Sequence, residues 1–182
     1  GHPINAVNAV DILPKAVGIW QNQGLVCPIA TAPVTMTNPD TDEAEKLYAA
    51  CGNAGIPLLR IGFWKFNEGD NYWKSIDVAR SSLDGFVKLS EKYKVKTCYQ
   101  MHSGPVLGSN CAGLVHLIKG LPPKHIGVCL DFGHLILDGE DCDMALAMIH
   151  DYLSAVFIKD ALYSPQPRGQ NPPYIPRFVK VG

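Results

Sequence analysis

The stretch KVKTCYQMHSG, residues 94–104, decides how the chain is to be read. Its first part, KVKTCY, interleaves Val95, Cys98 and Tyr99 with polar residues and is rich in strand formers. It then breaks into a polar loop that carries Gln100 and His102 and ends at Gly104. That is the pattern of a buried strand delivering side chains at its C-terminal end, as strands do in α/β proteins. Just before it, residues 70–92 place Trp73, Ile76, Ala79, Leu83, Phe86, Val87 and Leu89 at three- and four-residue spacings. This predicts a long helix with one apolar stripe. Just after it, residues 111–121 read as a short helix closed by Pro122 and Pro123, and residues 125–132 as a second buried strand.

The same alternation continues outward in both directions. Helices are predicted over 9–24, 43–55 and 141–153, and strands over 25–33, 56–64 and 154–160. Asp42 and Glu43 suit the N-terminal end of the second helix and Gly55 its stop. The proline-dense stretch 163–177 is expected to be an irregular loop. Strict alternation of helices with mostly apolar strands implies a parallel sheet covered by helices. An open doubly wound sheet and a (β/α)8 barrel both fit. No G-x-G-x-x-G or Walker pattern follows any strand, which removes the usual nucleotide-binding evidence for the open sheet. A complete barrel takes about 250 residues, and the five strands of this 182-residue chain are three short of one. The expected fold is α/β, a partial (β/α)8 TIM barrel forming a single domain over residues 1–182.

Bulk properties narrow the function. The net charge of −1 gives no electrostatic case for a nucleic-acid partner. No apolar run approaches the ~18 residues of a spanning helix. The opening GHPINAVNAVDILPK has no basic segment followed by an apolar one, so no signal peptide is visible and a cytoplasmic location is expected. Six cysteines form no C-x-x-C pair, and three lie within apolar strand-like runs. They read as reduced core residues. A homo-oligomer is compatible with all of this.

Candidate chemistry collects at the strand ends. On one strand Cys98, Gln100 and His102 share a face; on the next, Cys129 and Asp131 do, with His134 three residues on. Phe157 and Lys159 align on the last strand, with Asp160 beyond, and Leu58, Arg60, Gly62 and Trp64 align on an earlier one. Arg60 suits an ion pair in the barrel mouth as well as a substrate contact. Lys159 suits an ion pair or substrate binding, with a Schiff base as a more distant role. His116, His125 and His150 suit packing or surface positions. Asp131 with His134 is the pair hardest to explain structurally, because a carboxylate at a buried strand end needs a cation, a metal or donors.

The segments AGIPLLRIGFW, KYKVKTCYQMHSG, IGVCLDFGHLILDG and AVFIKD together resemble the sugar phosphate isomerase/epimerase family of xylose isomerase-like TIM barrels. The final FVKVG is similar to the start of a further strand segment of that family, and the N-terminal stretch to a segment following its first strand. The resemblance therefore implies the middle of a barrel. It also implies carbohydrate metabolism: a proton moved beside the carbonyl of a small polyhydroxylated substrate, a sugar or sugar phosphate. Family members typically use one divalent metal (Mn, Mg or Zn) held by two glutamates, an aspartate and a histidine. Carried over, the aspartate is Asp131, the first glutamate falls on Gln100 and the histidine on Phe157. Gln100 can offer a carbonyl oxygen but cannot act as a general base, and Phe157 cannot bind metal. The expected site is then His102 and Gln100 as catalytic groups, Asp131 with Gln100 as a weak or vacant metal position, and Arg60, Trp64, His134, Lys159 and Asp160 as substrate contacts. The alternative is a degenerate sugar-binding barrel that has lost proton transfer.

Overall fold

The computed structural model describes residues 3–182. Helix α1 (Ala9–Asn22) leads to strand β1 (Ile29–Thr31), then α2 (Asp42–Asn53), β2 (Leu58–Arg60), α3 (Tyr72–Tyr93) and β3 (Lys96–Gln100). There follow α4 (Cys111–Ile118), β4 (Ile126–Asp131), α5 (Phe132–Asp138), α6 (Cys142–Ile149) and β5 (Leu153–Phe157). The five strands are parallel and ordered β1-β2-β3-β4-β5, a half-barrel with helices on its outside. All their carboxyl ends therefore open on one rim, as the α/β alternation requires.

The helices form where capping and apolar spacing coincide. Side chains of Thr41, Asn71, Asn110 and Asp141 accept from the first-turn N–H groups of α2, α3, α4 and α6. Helix α3 buries Ile76, Ala79, Leu83 and Phe86. Trp73, expected on the same stripe, is instead exposed and meets His116 edge-on at 5.0 Å. It stands in the first turn, beyond the sheet that the stripe covers. Between α2 and β3, Tyr48 and Thr97 share a hydrogen bond of 2.5 Å, and Thr97 also donates to the Phe86 carbonyl of α3 at 3.3 Å, so the polar atoms buried in this layer are paired. All six cysteines are free thiols, four of them buried.

Two expectations are corrected. Residues 163–177 are not irregular. Strands β6 (Asp160–Pro165) and β7 (Tyr174–Val179) form an antiparallel hairpin, and most of the prolines fall in the connection between them. A two-stranded ribbon leaves one edge of each strand unpaired, so Pro165 and Pro176 can sit in it without losing a ladder bond. The second correction is at Phe132, expected to end the strand 125–132 and found instead as the first residue of α5. This helix begins at the residue after Asp131, whose carboxylate caps it by accepting from Gly133 N at 3.2 Å.

Candidate functional site

The C-terminal ends of β3, β4 and β5 converge on Asp131, which is wholly buried. Its Oδ2 accepts from Gln100 Nε2 at 2.8 Å and lies 2.7 Å from Lys159 Nζ. Its Oδ1 is taken by the Gly133 N–H. The capping turn lifts His134 over this group: its Nε2 is 3.9 Å from Asp131 Oδ2 and 3.4 Å from Lys159 Nζ. An ammonium has no acceptor capacity, so Nε2 accepts from Lys159, and the imidazole proton sits on Nδ1, 2.8 Å from Ser103 Oγ. Burial first, and then the neighbouring His102, bring the His134 pKa down to about 4, although Asp131 pulls the other way. His134 is thus a neutral ring near pH 7.

His102 stacks on His134 with 3.9 Å between ring centroids. Its Nδ1 lies 2.9 Å from the Ser103 carbonyl oxygen, which can only accept. Nδ1 therefore donates, and in the neutral ring it is Nε2 that carries the lone pair. Phe63 covers the other side of His102 at 4.9 Å, and Arg60 sits over Phe63 at 5.1 Å while donating to the Ile61 carbonyl at 3.2 Å. Burial lowers the Arg60 pKa from its ordinary value. From the far side, Phe178 of β7 meets His134 edge-on at 5.2 Å and lies 5.3 Å below Lys159 Nζ. This approach is close enough that only glycine fits at position 133. A Cβ there would stand 2.7 Å from Lys159 Cβ and 3.0 Å from the Phe178 ring.

Of the expected site residues, Gln100, His102, Asp131, His134 and Lys159 come together, and Arg60 adjoins them through Phe63. Asp160 instead opens β6, and its Oδ1 accepts from the following N–H of Ala161 at 2.8 Å. Trp64 stacks on Tyr99 at 5.4 Å, partly buried against the hydrophobic core. The reason is that β2 ends at Arg60, so the strand alternation that aligned Trp64 with Arg60 does not persist, and Phe63 takes the position beside His102. Ser103 and Phe178 were not anticipated. Ser103 could have been found from its place in the loop beside His102; Phe178, 47 residues beyond Asp131, carries no sequence signal. An apolar cavity of about 590 Å³ lies between α1, α2 and the first strands, but Cys27 and Cys51 are its sole titratable residues, so it offers no competing chemistry.

A divalent metal does not fit this arrangement. Hard cations want several oxygen donors at about 2.0–2.6 Å. Asp131 Oδ2 already faces an ammonium and an amide N–H, and because a carboxylate only accepts, Gln100 must turn its nitrogen toward Asp131. Phe157 stands in register with Asp131 where the resemblance implied a histidine. Among the described residues no group of three His, Cys, Asp or Glu side chains is placed to hold a metal.

The family model described as xylose isomerase-like TIM barrel matches residues 20–182. The chain belongs to that family. No curated protein sequence matches it. Among solved structures, this xylose isomerase-like chain is similar to the apo form of 3-keto-D-glucoside 4-epimerase YcjR from E. coli. The TM-score is 0.71 at 14% identity, over 86% of this chain and 67% of that one. It is also similar to a D-tagatose 3-epimerase-like protein, with a TM-score of 0.67 at 17% identity over 82% and 61% of the two chains. A D-psicose 3-epimerase studied with D-fructose gives 0.65 at 11% identity, over 93% and 66%. At such identities the likeness concerns the fold, and the chain spans about three-fifths to two-thirds of the length of these relatives. No helix among the described residues is long and apolar enough to cross a membrane.

Proposed function

We propose that the protein is a sugar or sugar phosphate isomerase/epimerase-like enzyme that moves a proton beside the carbonyl of a small polyhydroxylated substrate. The observation that carries this reading is the free Nε2 of His102 on a rim where Lys159, held on Asp131, supplies positive charge. A base and an electrophile on one rim are what enolisation needs: the base removes the C–H proton while the cation receives the charge developing on oxygen. Histidine can both take and return a proton near neutrality. His134 and Ser103 hold their neighbours in place, and Arg60 offers a second cation toward substrate oxygens. Sugar epimerases among the structural relatives give the substrate class its support.

A non-catalytic sugar-binding barrel is the second reading. It is favoured by Gln100, an amide where a proton-transferring carboxylate is expected, and by the engagement of Asp131 with Lys159. One experiment separates the two. Ketoses, keto-sugars and their phosphates are incubated with the protein in D₂O and followed by proton NMR. Incorporation of deuterium at carbon next to the carbonyl is expected of the enzyme; saturable binding without exchange belongs to the binding module.

A further inference from the structure

Lys159 forms an ion pair whose placement goes beyond the substrate contact expected of it. Its side chain is 43% exposed, yet its Nζ reaches the Oδ2 of a carboxylate that is 0% exposed. A buried carboxylate requires a countercharge or strong donors. Here every contact that meets this need comes from the chain itself: Gly133 N–H on Oδ1, and Gln100 Nε2 and Lys159 Nζ on Oδ2. At 2.7 Å, the Lys159 nitrogen stands in the space that a metal bound to Oδ2 would fill. Two cations cannot share that space, and the Gln100 amide is turned so as to support the carboxylate and not a metal.

We propose that the Lys159 ammonium is the resident cation of this site. It stands on Asp131 where the resemblance implies a divalent metal, and it excludes one. An ammonium has three N–H bonds. One goes to Asp131 and one to His134 Nε2, and the third is left for the exposed side, bordered by Phe178. Resting on the proton-transfer reading, that third N–H is the donor to the substrate carbonyl oxygen. In the forward step the C–H bond breaks and its proton passes to His102 Nε2. The electron pair forms the C=C bond while the carbonyl π pair moves onto oxygen, giving an enolate hydrogen-bonded to Lys159. His102 then returns the proton to the adjacent carbon, while the hydroxyl proton on the first carbon passes to the enolate oxygen and leaves a new carbonyl on that first carbon. This completes a 1,2-shift with no oxidant, reductant or co-reactant; return to the original carbon gives exchange alone.

The cation seat is tested without substrate, so the result stands whether or not the proton-transfer reading holds. Mn²⁺ is titrated into the full chain and followed by electron paramagnetic resonance. The unaltered chain should leave Mn²⁺ free. Lys159→Met combined with Gln100→Glu, which removes the ammonium and adds an oxygen donor, should bind one Mn²⁺ at least about tenfold more tightly. Lys159→Arg with Gln100→Glu, which keeps a cation, should not show this gain. Tight stoichiometric binding by the unaltered chain that is lost in Asp131→Asn, or no gain on removing the ammonium, would overturn the proposal. A second measurement needs no substitution. With ¹⁵N-labelled lysine, added Mn²⁺ should broaden the Lys159 ammonium resonance no more than those of the other lysines, and selective broadening would contradict the assignment.

Discussion

Lys159 Nζ and Asp131 Oδ2 are 2.7 Å apart, one on a partly exposed side chain beyond β5 and the other fully buried at the end of β4. The contact ties the outer strand of the half-barrel to its neighbour at the rim where the chemistry sits.

That pair should matter to stability as well as to chemistry. Lys159→Met leaves the Asp131 carboxylate buried without its countercharge and should cost about 1–3 kcal/mol, a figure reduced because the lysine is partly in water. Gln100→Leu removes a donor from the same oxygen and should cost about 1–3 kcal/mol. Lys159→Arg, which keeps the charge, should lose less than Lys159→Met. Urea unfolding at pH 7 measures all three.

The close approach at Gly133 gives a steric prediction. Gly133→Ala sets a Cβ against Lys159 Cβ and the Phe178 ring, and overpacking of this kind should destabilise by about 1–3 kcal/mol. Phe178→Ala should remove part of that cost when combined with Gly133→Ala, because one of the two obstacles has gone. A double-mutant cycle by thermal or urea unfolding reads the coupling.

The parts of the site that were legible in the sequence follow from two regularities. Parallel strands put all their carboxyl ends on one rim, so Gln100, Asp131 and Lys159 could be brought together from strand assignment alone. Period-two alternation placed Gln100 and Asp131 on the inner face together with Cys98 and Cys129. Both regularities fail where the strand stops. Counting twos past Arg60 reaches Trp64, but β2 ends at Arg60 and the following backbone bonds instead to the loop after β1, as in Phe63 N to Val34 O at 3.0 Å. Helix α5, with 7 residues, is too short to show a helical period. Phe178 opens FVKVG, which resembles the start of a further barrel strand, but it lies in an antiparallel hairpin with β6, and its contact with His134 depends on that pairing, which no local pattern announces.

His134 gives the fold a dependence on pH. Its folded pKa of about 4 lies below the ordinary value of 6.5, so between these values the unfolded chain binds more protons than the folded one. This contribution to stability is fully present above about 6.5, is lost as pH falls toward 4, and changes no further below that. Urea midpoints should therefore fall between pH 7 and pH 4.5, and His134→Gln should flatten the part of the curve that belongs to this ring.

In the proposed reaction His102 carries the proton. The direct measurement is solvent deuterium incorporation into a turned-over ketose or keto-sugar, compared between the unaltered chain and His102→Asn. Exchange should slow by about 10²-fold or more while KM stays nearly constant, because the base acts in the transition state and not in binding. Unchanged exchange in His102→Asn, or a loss confined to KM, would contradict it.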